Sequence, residues 1–416
     1  MILKNNVIVF LFFLYLSLII GFYFGEDSLG GAFYDFVSHS HIAEKFRDNF
    51  IYTLLNYDDL GHRHSPIFYI FKSFVLVLGE TNQKIFFLHL YLLIPFFFYK
   101  SLRVIYFKSD KNNLILLSTV LLLFPSFRAY SFWPDPHLLG TLFFIISIYF
   151  YSKFLTKNNL FKHAVLNTIF LALSAYISPN FGVFVIFFIY EFYLKFKFTS
   201  RFIILLIINL IISLPFFLYL FYFDVSFISN VGSWDIGENI LSLQNISNKF
   251  IIIISLLLFY LLPFFFSKTI KYNVINLNYK KNFFYFFIFL LAILFFDFSD
   301  SYNLTNSGGG FFYNLSQLLF KNNTLFFILC LFTFVYLIQI FKIDRKNILI
   351  FIILIFSNPQ NTLWQANFSP TIYISILLLF NLNLKEDSIT KNTIYFNYSY
   401  FSLYLVSSLI YKQIFN

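Results

Sequence analysis

Residues 66–79 read PIFYIFKSFVLVLG, and whether they cross a membrane sets the orientation of everything that follows. Fourteen helical residues rise about 21 Å at 1.5 Å per residue, short of the roughly 30 Å of a hydrocarbon core. If they crossed with Lys4 inside, every later basic cluster would fall outside. The segment therefore reads as a helix that dips into the outer leaflet and returns at Gly79. The rival is a chain whose N-terminus lies outside, in which 66–79 crosses and the residues before it are cytoplasmic. Lys4 and the acidic balance of those residues oppose it.

The rest of the chain fits this frame. Apolar runs near 7–24, 84–107, 113–131, 136–155, 162–178, 180–195, 201–222, 249–267, 282–297, 324–342, 346–357, 370–384 and 395–414 read as thirteen transmembrane helices. The expected fold is thus an all-α polytopic membrane protein, one integral domain over 1–416, with 25–83 as a large first outer loop. Charged residues make up 12% of the 416 and hydrophobic residues 59%, with a mean hydropathy of +0.75. A soluble domain carries about 25% charged residues. Basic clusters fall at Lys100/Arg103/Lys108/Lys111, Lys153/Lys157/Lys162, Lys195/Lys197/Arg201, Lys268/Lys271/Lys280/Lys281, Lys342/Arg345/Lys346 and Lys385/Lys391. With Lys4 they account for 20 of the 29 Lys and Arg, all on the cytoplasmic side, while 14 of the 19 acids fall opposite. This positive-inside pattern explains the net charge of +10 without a nucleic-acid partner. The first span has no small-residue cleavage site and reads as retained. Cys330 is the single cysteine, so no intramolecular disulfide forms.

The loop before the dipping segment, residues 25–65, reads GEDSLGGAFYDFVSHSHIAEKFRDNFIYTLLNYDDLGHRHS. It gathers seven of the nineteen acids (Glu26, Asp27, Asp35, Glu44, Asp48, Asp58, Asp59) and four of the seven histidines (His39, His41, His62, His64). Titratable groups concentrated at one face of a membrane protein point to a working site. A merely solvated loop has no need of four histidines. Residues 38–56 read as an amphipathic helix in the membrane interface, capped by Ser38 or Ser40, with Ala43, Phe46, Phe50 and Leu54 on its apolar stripe. Gly30-Gly31 allows a sharp turn before it. A second outer loop, 125–137, PSFRAYSFWPDPH, carries Arg128, Asp135 and His137.

Titratable groups at the outer surface above many apolar spans suit a substrate with a greasy tail and a polar head, such as a polyprenyl-phosphate sugar. Sugar transfer requires a carboxylate to take the proton from the acceptor hydroxyl, and cations to hold the phosphate of the leaving group. Asp35 and Asp27 are the catalytic candidates. Asp35-x-x-x-His39 favours Asp35, since it sets an acid and an imidazole one helical turn apart. Arg63, His64, Arg128 and His137 are candidate phosphate partners, and Glu26, His39 and Asp135 complete the substrate-binding set. Asp58-Asp59 with His62 and His64 could take a divalent cation, but adjacent Asp side chains diverge on a helix, and no metal site is assigned.

The arrangement resembles the GT-C superfamily of integral membrane glycosyltransferases, in the branch of protein mannosyltransferases and lipid A aminoarabinose transferases. The likeness consists of a retained first span and a large first outer loop with acids directly after it, here Glu26-Asp27. An interfacial helix follows, then a Pro-led dipping segment at His64-Ser65-Pro66-Ile67-Phe68-Tyr69, then a span ending in basic residues. The family's Asp-Glu pair is reversed in this chain, and its His-Pro-Pro segment reads His64-Ser65-Pro66. The resemblance implies an Asp base near the start of the first loop, a polyprenyl-phosphate sugar donor, and a lipid, glycan or protein acceptor. It also implies a plasma or inner membrane location with the active face periplasmic or extracellular, among membrane lipids.

Two other classes compete. A transporter or flippase of lipid-linked sugars places ionisable groups and broken helices near the bilayer midplane, whereas these spans carry almost no charge at mid-depth. A polysaccharide polymerase or ligase centres on a large late loop, and 298–323 is poor in Arg and His. Among single residues, His89 reads as a buried, hydrogen-bonded histidine within a span. Glu191 reads as snorkelling to the cytoplasmic surface, and Trp133, Trp234 and Trp364 as interfacial belt residues.

Overall fold

The computed structural model describes residues 5–61, 64–156, 160–223, 225, 242–267, 269, 279–298, 308–340, 344–358, 363–382 and 389–415. Among them the chain is helical and contains no strand. Seven helices are long and apolar enough to cross a membrane, and the number becomes eight if one bent pair is a single span. The protein is therefore an all-α, multi-pass membrane protein. It divides into two compact units, residues 1–233 with 389–416, and residues 234–388.

In the first unit, α1 (Asn5–Tyr23) is the first span. The chain turns at Gly25, whose φ of 64° lies in the left-handed region, and α2 follows (Ala32–Asp48). This helix begins six residues before the expected Ser38. The reason is Asp27, whose carboxylate accepts from the N–H groups of Leu29, Gly30 and Phe33 and so satisfies the start of α2 from outside it. Ser40 instead donates to the Phe36 carbonyl. Asn49 ends α2 and caps a short continuation, Phe50–Leu55, with its side chain accepting from Tyr52 N. Ala43 and Phe46 are buried as expected, whereas Phe50 is exposed.

Helix α3 (Pro66–Val75) starts with Ser65 as cap and Pro66 in the first turn, where a missing N–H costs nothing. It closes through Leu76–Leu78 at Gly79, φ 80°. The segment is too short to be a span, and α2 packs against it. Helices α4 (Glu80–Tyr91) and α5 (Leu93–Ile105) run on as one 26-residue span. The run read as a span over 113–131 is broken. Residues Lys111–Leu123, which include α6 (Lys111–Thr119), and α7 (Pro125–Phe132) are bent by 68° at Pro125, which cannot donate into a continuous helix. All eight residues of α7 are buried. Helices α8 (Pro136–Thr156), α9 (Leu160–Ile177), α10 (Val185–Phe196) and α11 (Ser200–Phe221) complete the run of spans in this unit.

The second unit holds α12 (Leu243–Phe266), a 24-residue span, with α13 (Tyr279–Leu294), α14 (Phe311–Phe320), α15 (Thr324–Ile340), α16 (Arg345–Ser357) and α17 (Thr371–Leu378) around it. Several of the thirteen expected spans are shortened here. Helix α17 has eight residues and rises only about 12 Å. Sequence hydropathy counts apolar residues and does not register that in the 370–384 run the backbone is helical only from Thr371 to Leu378. The chain then returns to the first unit, where α18 (Lys391–Phe415) is anchored to it by Tyr398 OH donating to the Leu116 carbonyl and by the Phe401 ring 4.6 Å from Phe124.

Two polar groups in the spans of the first unit differ from expectation. Glu191 is buried rather than snorkelled, and one of its oxygens accepts from Tyr151 OH at 2.7 Å. His89 is hydrogen-bonded, to Tyr15 OH and the Ile85 carbonyl, but it lies on an exposed face rather than in the core.

Candidate active site at the C-terminal end of the first span

The turn after α1 sends two adjacent carboxylates in different directions. Glu26 points inward and meets Arg128 of α7. The guanidinium Nε donates to Glu26 Oε1 at 2.7 Å and Nη2 to Oε2 at 2.5 Å, a two-pronged contact with side chains only 5% and 9% exposed. Arg128 also donates through Nη1 to Ser17 Oγ (3.2 Å) and through Nη2 to the Ser17 carbonyl (3.0 Å). Trp133 Nε1 donates to the Glu26 carbonyl, fixing the backbone of the same residue. Helix α1 can pass this close because position 21 is glycine. A Cβ there would run into Glu26 Oε2 and lie 2.6 Å from Arg128 Nη2.

Asp27 lies on the other side of the turn and lines a cleft of about 610 Å³ with Ser17, Glu26, Tyr34 and Arg128, whose apolar wall includes Ile20, Phe24, Phe33 and Leu409. The cleft thus combines two carboxylates, one guanidinium and a greasy wall. Ser28 secures its rim from both sides, donating to the Pro125 carbonyl and accepting at its own carbonyl from Ser408 Oγ.

Beside the cleft is a second polar layer. His39 of α2 is buried, with Nε2 3.4 Å from Asp135 Oδ2 and Nδ1 3.0 Å from Tyr69 OH. The His64 ring lies 5.4 Å from the His39 ring, and the His64 carbonyl accepts from Tyr57 OH. Asp135 Oδ1 accepts from His137 N at 2.7 Å, and its carbonyl accepts from Tyr91 OH. Burial raises the Asp135 carboxyl above its ordinary value, while His64, His137 and Lys72 pull the other way. Lys72 of α3 is fully buried. Its Nζ sits 4.0 Å over the Phe36 ring and donates to the Phe36 carbonyl. Burial lowers its ammonium from 10.5 to about 7, with Asp135 resisting the shift. Lys84 pairs with Glu80 at 2.6 Å and covers the Trp133 ring at 4.0 Å.

The predicted site residues divide accordingly. Glu26, Asp27 and Arg128 converge on the cleft, while His39, His64, Asp135 and His137 gather in the adjoining layer. Asp35 is exposed in the first turn of α2 and does not line the cleft, and His39 turns to Tyr69 and Asp135. Arg63 and His62 lie outside the described residues. Asp58 and Asp59 stand in a single turn, Tyr57–Leu60, and among the described residues no group of three or more His, Cys, Asp or Glu side chains could hold a metal ion. Sequence reasoning missed Ser17, Tyr69, Lys72 and Trp133 as members of this assembly. Lys72 could have been found, as a lone cation in an apolar segment too short to span. Trp133 was read as a belt residue, and here its indole ties down Glu26. No protein-family model matches the chain, and neither does any curated protein or solved structure.

Proposed function

We propose that the chain is a membrane glycosyltransferase that moves a sugar from a polyprenyl-phosphate donor to a lipid, glycan or protein acceptor at the outer face. Asp27 serves as general base. The observation that carries this reading is the position of Asp27, in the wall of a half-greasy cleft beside a buried Glu26–Arg128 pair. An isoprenoid tail fits the Ile20, Phe24, Phe33 and Leu409 side, and a sugar and acceptor hydroxyl fit the carboxylate side. Three backbone N–H groups hold the Asp27 carboxylate in one orientation, which is the preorganisation a base requires. Arg128 Nη1 makes one long bond, to Ser17 Oγ, and is the least committed donor of the guanidinium, the one a lipid phosphate at the cleft would engage. Asp35, outside the cleft lining, becomes the weaker candidate.

The test is transfer from a polyprenyl-phosphate sugar in membranes carrying Asp27→Asn or Asp35→Asn. Loss of the proton acceptor should lower turnover by roughly 10² to 10⁴ with donor binding nearly unchanged. Full transfer by Asp27→Asn removes the assignment. A second reading, translocation of a lipid-linked sugar, draws on the broken segments of the second unit, since helices interrupted inside a membrane are a transporter trait. Under that reading the Asp27→Asn protein still moves lipid-linked sugar across vesicles.

A further inference from the structure

The buried polar layer beside the cleft has no part in the transfer chemistry above, and it is built as two rungs between α2 and α3. Phe36 and His39 lie one turn apart on α2, and Tyr69 and Lys72 one turn apart on α3, so each pair can present one face to the other. In the first rung Tyr69 OH is 3.0 Å from His39 Nδ1. In the second, Lys72 Nζ donates to the Phe36 carbonyl at 3.2 Å and sits 4.0 Å over the Phe36 ring. Asp135, just before α8, closes the layer with Oδ2 3.4 Å from His39 Nε2. His39, Tyr69, Lys72 and Asp135 are all buried.

The partners of His39 assign its tautomer. An ionised carboxylate only accepts, so Nε2 carries the proton and Nδ1 accepts from the Tyr69 hydroxyl. A second proton would make Nδ1 a donor, facing a hydroxyl that was donating to it, and the first rung must then rearrange. It would also add positive charge to an enclosed space. Lys72 stands on α3, the His64 ring lies 5.4 Å from the His39 ring, and His137 and Tyr91 bond to Asp135 from α8 and α4. Among these groups Asp135 is the one buried carboxylate, and it already acts on the Lys72 ammonium. Glu44 and Glu80 also act on Lys72 but are exposed, and Lys84 adds a further positive charge. One buried carboxylate balances one buried cation, and a second cation is costly. Movement of α2 would reach the cleft by two routes. The N–H groups of Leu29, Gly30 and Phe33 that hold the Asp27 carboxylate stand at the start of α2. The Phe36 ring packs 5.7 Å from Trp133, which lies 4.9 Å from Phe33 and donates to the Glu26 carbonyl. Phe33 and Glu26 both line the cleft.

We propose that this layer is a one-proton switch on the Asp27 cleft: protonation of His39 breaks its rung to Tyr69, releases α2 from α3, and loosens the backbone donors that orient Asp27. The switch acts on the cleft whatever the cleft binds, and it does not depend on the transferase reading.

The test uses full-length Trp234→Phe/Trp364→Phe protein in phosphatidylcholine nanodiscs, which leaves Trp133 as the only tryptophan. Its fluorescence, followed from about pH 8.5 down to about pH 5, should show one reversible transition. Below the midpoint the amides of residues 29–33 should exchange hydrogen about tenfold faster than above it, after correction for the intrinsic effect of pH. His39→Gln keeps an N–H for Asp135 and a carbonyl for Tyr69 but takes no proton, so both responses should vanish. Lys72→Met removes a competing cation and should move the midpoint up by about one pH unit, whereas Asp135→Asn removes the acid that favours the proton and should move it down by about as much. The proposal is overturned if the starting protein shows no transition, if His39→Gln shows the same one, or if the 29–33 amides exchange alike on both sides of the midpoint. Should His39→Gln fail to fold, Lys72→Met decides: a midpoint that stays in place or moves down, or a transition that disappears, assigns the proton to another group and overturns the proposal. None of these measurements uses sugar transfer, so failure of the transferase reading leaves their outcome unchanged.

Discussion

Replacing Glu26 by Gln should destabilise the first unit by about 3 kcal/mol, the lower end of what breaking a buried ion pair costs. The geometry explains why an isosteric change is not mild. A Gln oxygen can replace Glu26 Oε1 and keep the bond from Arg128 Nε, but its amide nitrogen then faces Nη2, a donor, across 2.5 Å. One contact becomes donor against donor, and a guanidinium with 5% exposure loses its counter-charge. Arg128→Met leaves the opposite debris, a carboxylate at 9% exposure without its guanidinium, and should cost about 3–5 kcal/mol. The double variant Glu26→Gln/Arg128→Met leaves no buried charge and should recover part of the loss, with a coupling of about 1.5–3 kcal/mol. Gly21→Ala provides a third, independent handle. Its methyl would occupy space now held by Glu26 Oε2 and Arg128 Nη2, and so should weaken the pair without altering either partner. The assay is an SDS-titrated unfolding equilibrium read by tryptophan fluorescence, in which Trp133 reports locally because its indole donates to the Glu26 carbonyl. Additivity of the two single variants to within about 0.5 kcal/mol would falsify the pair as an energetic unit.

Three further outcomes are expected. Lys72 has an ammonium near 7 when folded against an ordinary 10.5, so the unfolded chain holds more protons between those values. Its contribution to stability should therefore be complete above about 10.5 and fall away as pH drops toward 7, and Lys72→Met should flatten that limb of the stability curve. Removing one donor from the buried Glu191 carboxylate in Tyr151→Phe should cost about 1–3 kcal/mol, and a loss below a few tenths would show that the Tyr151 bond carries no weight. A cysteine in place of the exposed His41 should react with an impermeant thiol reagent in intact cells. Cys330 is fully buried and should stay silent, so labelling of His41→Cys only after permeabilisation would place the 25–65 loop in the cytoplasm.

The fold was legible where one residue type settles the backbone. Ser65-Pro66 and Gly79 mark both ends of the 66–79 segment, and the structure starts α3 at Pro66 and closes the turn after it, Leu76–Leu78, at Gly79. Legibility failed where the controlling group lies outside the helix that it starts. Nothing in the run from Ser38 to Asn56 shows that Asp27 extends α2 back to Ala32, because the capping oxygen comes from five residues earlier across a Gly-containing turn. Apolar composition also concealed the breaks. Residues 113–131 and 370–384 are greasy enough to be read as spans, yet Pro125 bends the first by 68° and the second contains a helix of only eight residues. Hydropathy measures what lipid tolerates and is blind to where hydrogen bonding along the backbone stops.

The candidate site was legible as a set of polar residues and not as an arrangement of them. Placing Arg128 beside the first loop follows from charge alone, since a lone guanidinium between two apolar runs needs an acid and the 25–65 stretch supplies seven. Which acid it takes depends on the turn at Gly25, which sends Glu26 inward and leaves Asp27 at the cleft. Two neighbouring carboxylates of equal intrinsic chemistry thus acquire different work, one neutralised by a buried cation and one held by backbone N–H groups at an open wall. Spacing at one helical turn made Asp35 and His39 look like partners, but α3 covers only the His39 part of that face and supplies Tyr69 to it. The i to i+4 rule states which side chains can meet on a free helix. Packing against a second helix decides which of them do, and here it leaves Asp35 at the exposed end of α2 while drawing His39 into the core.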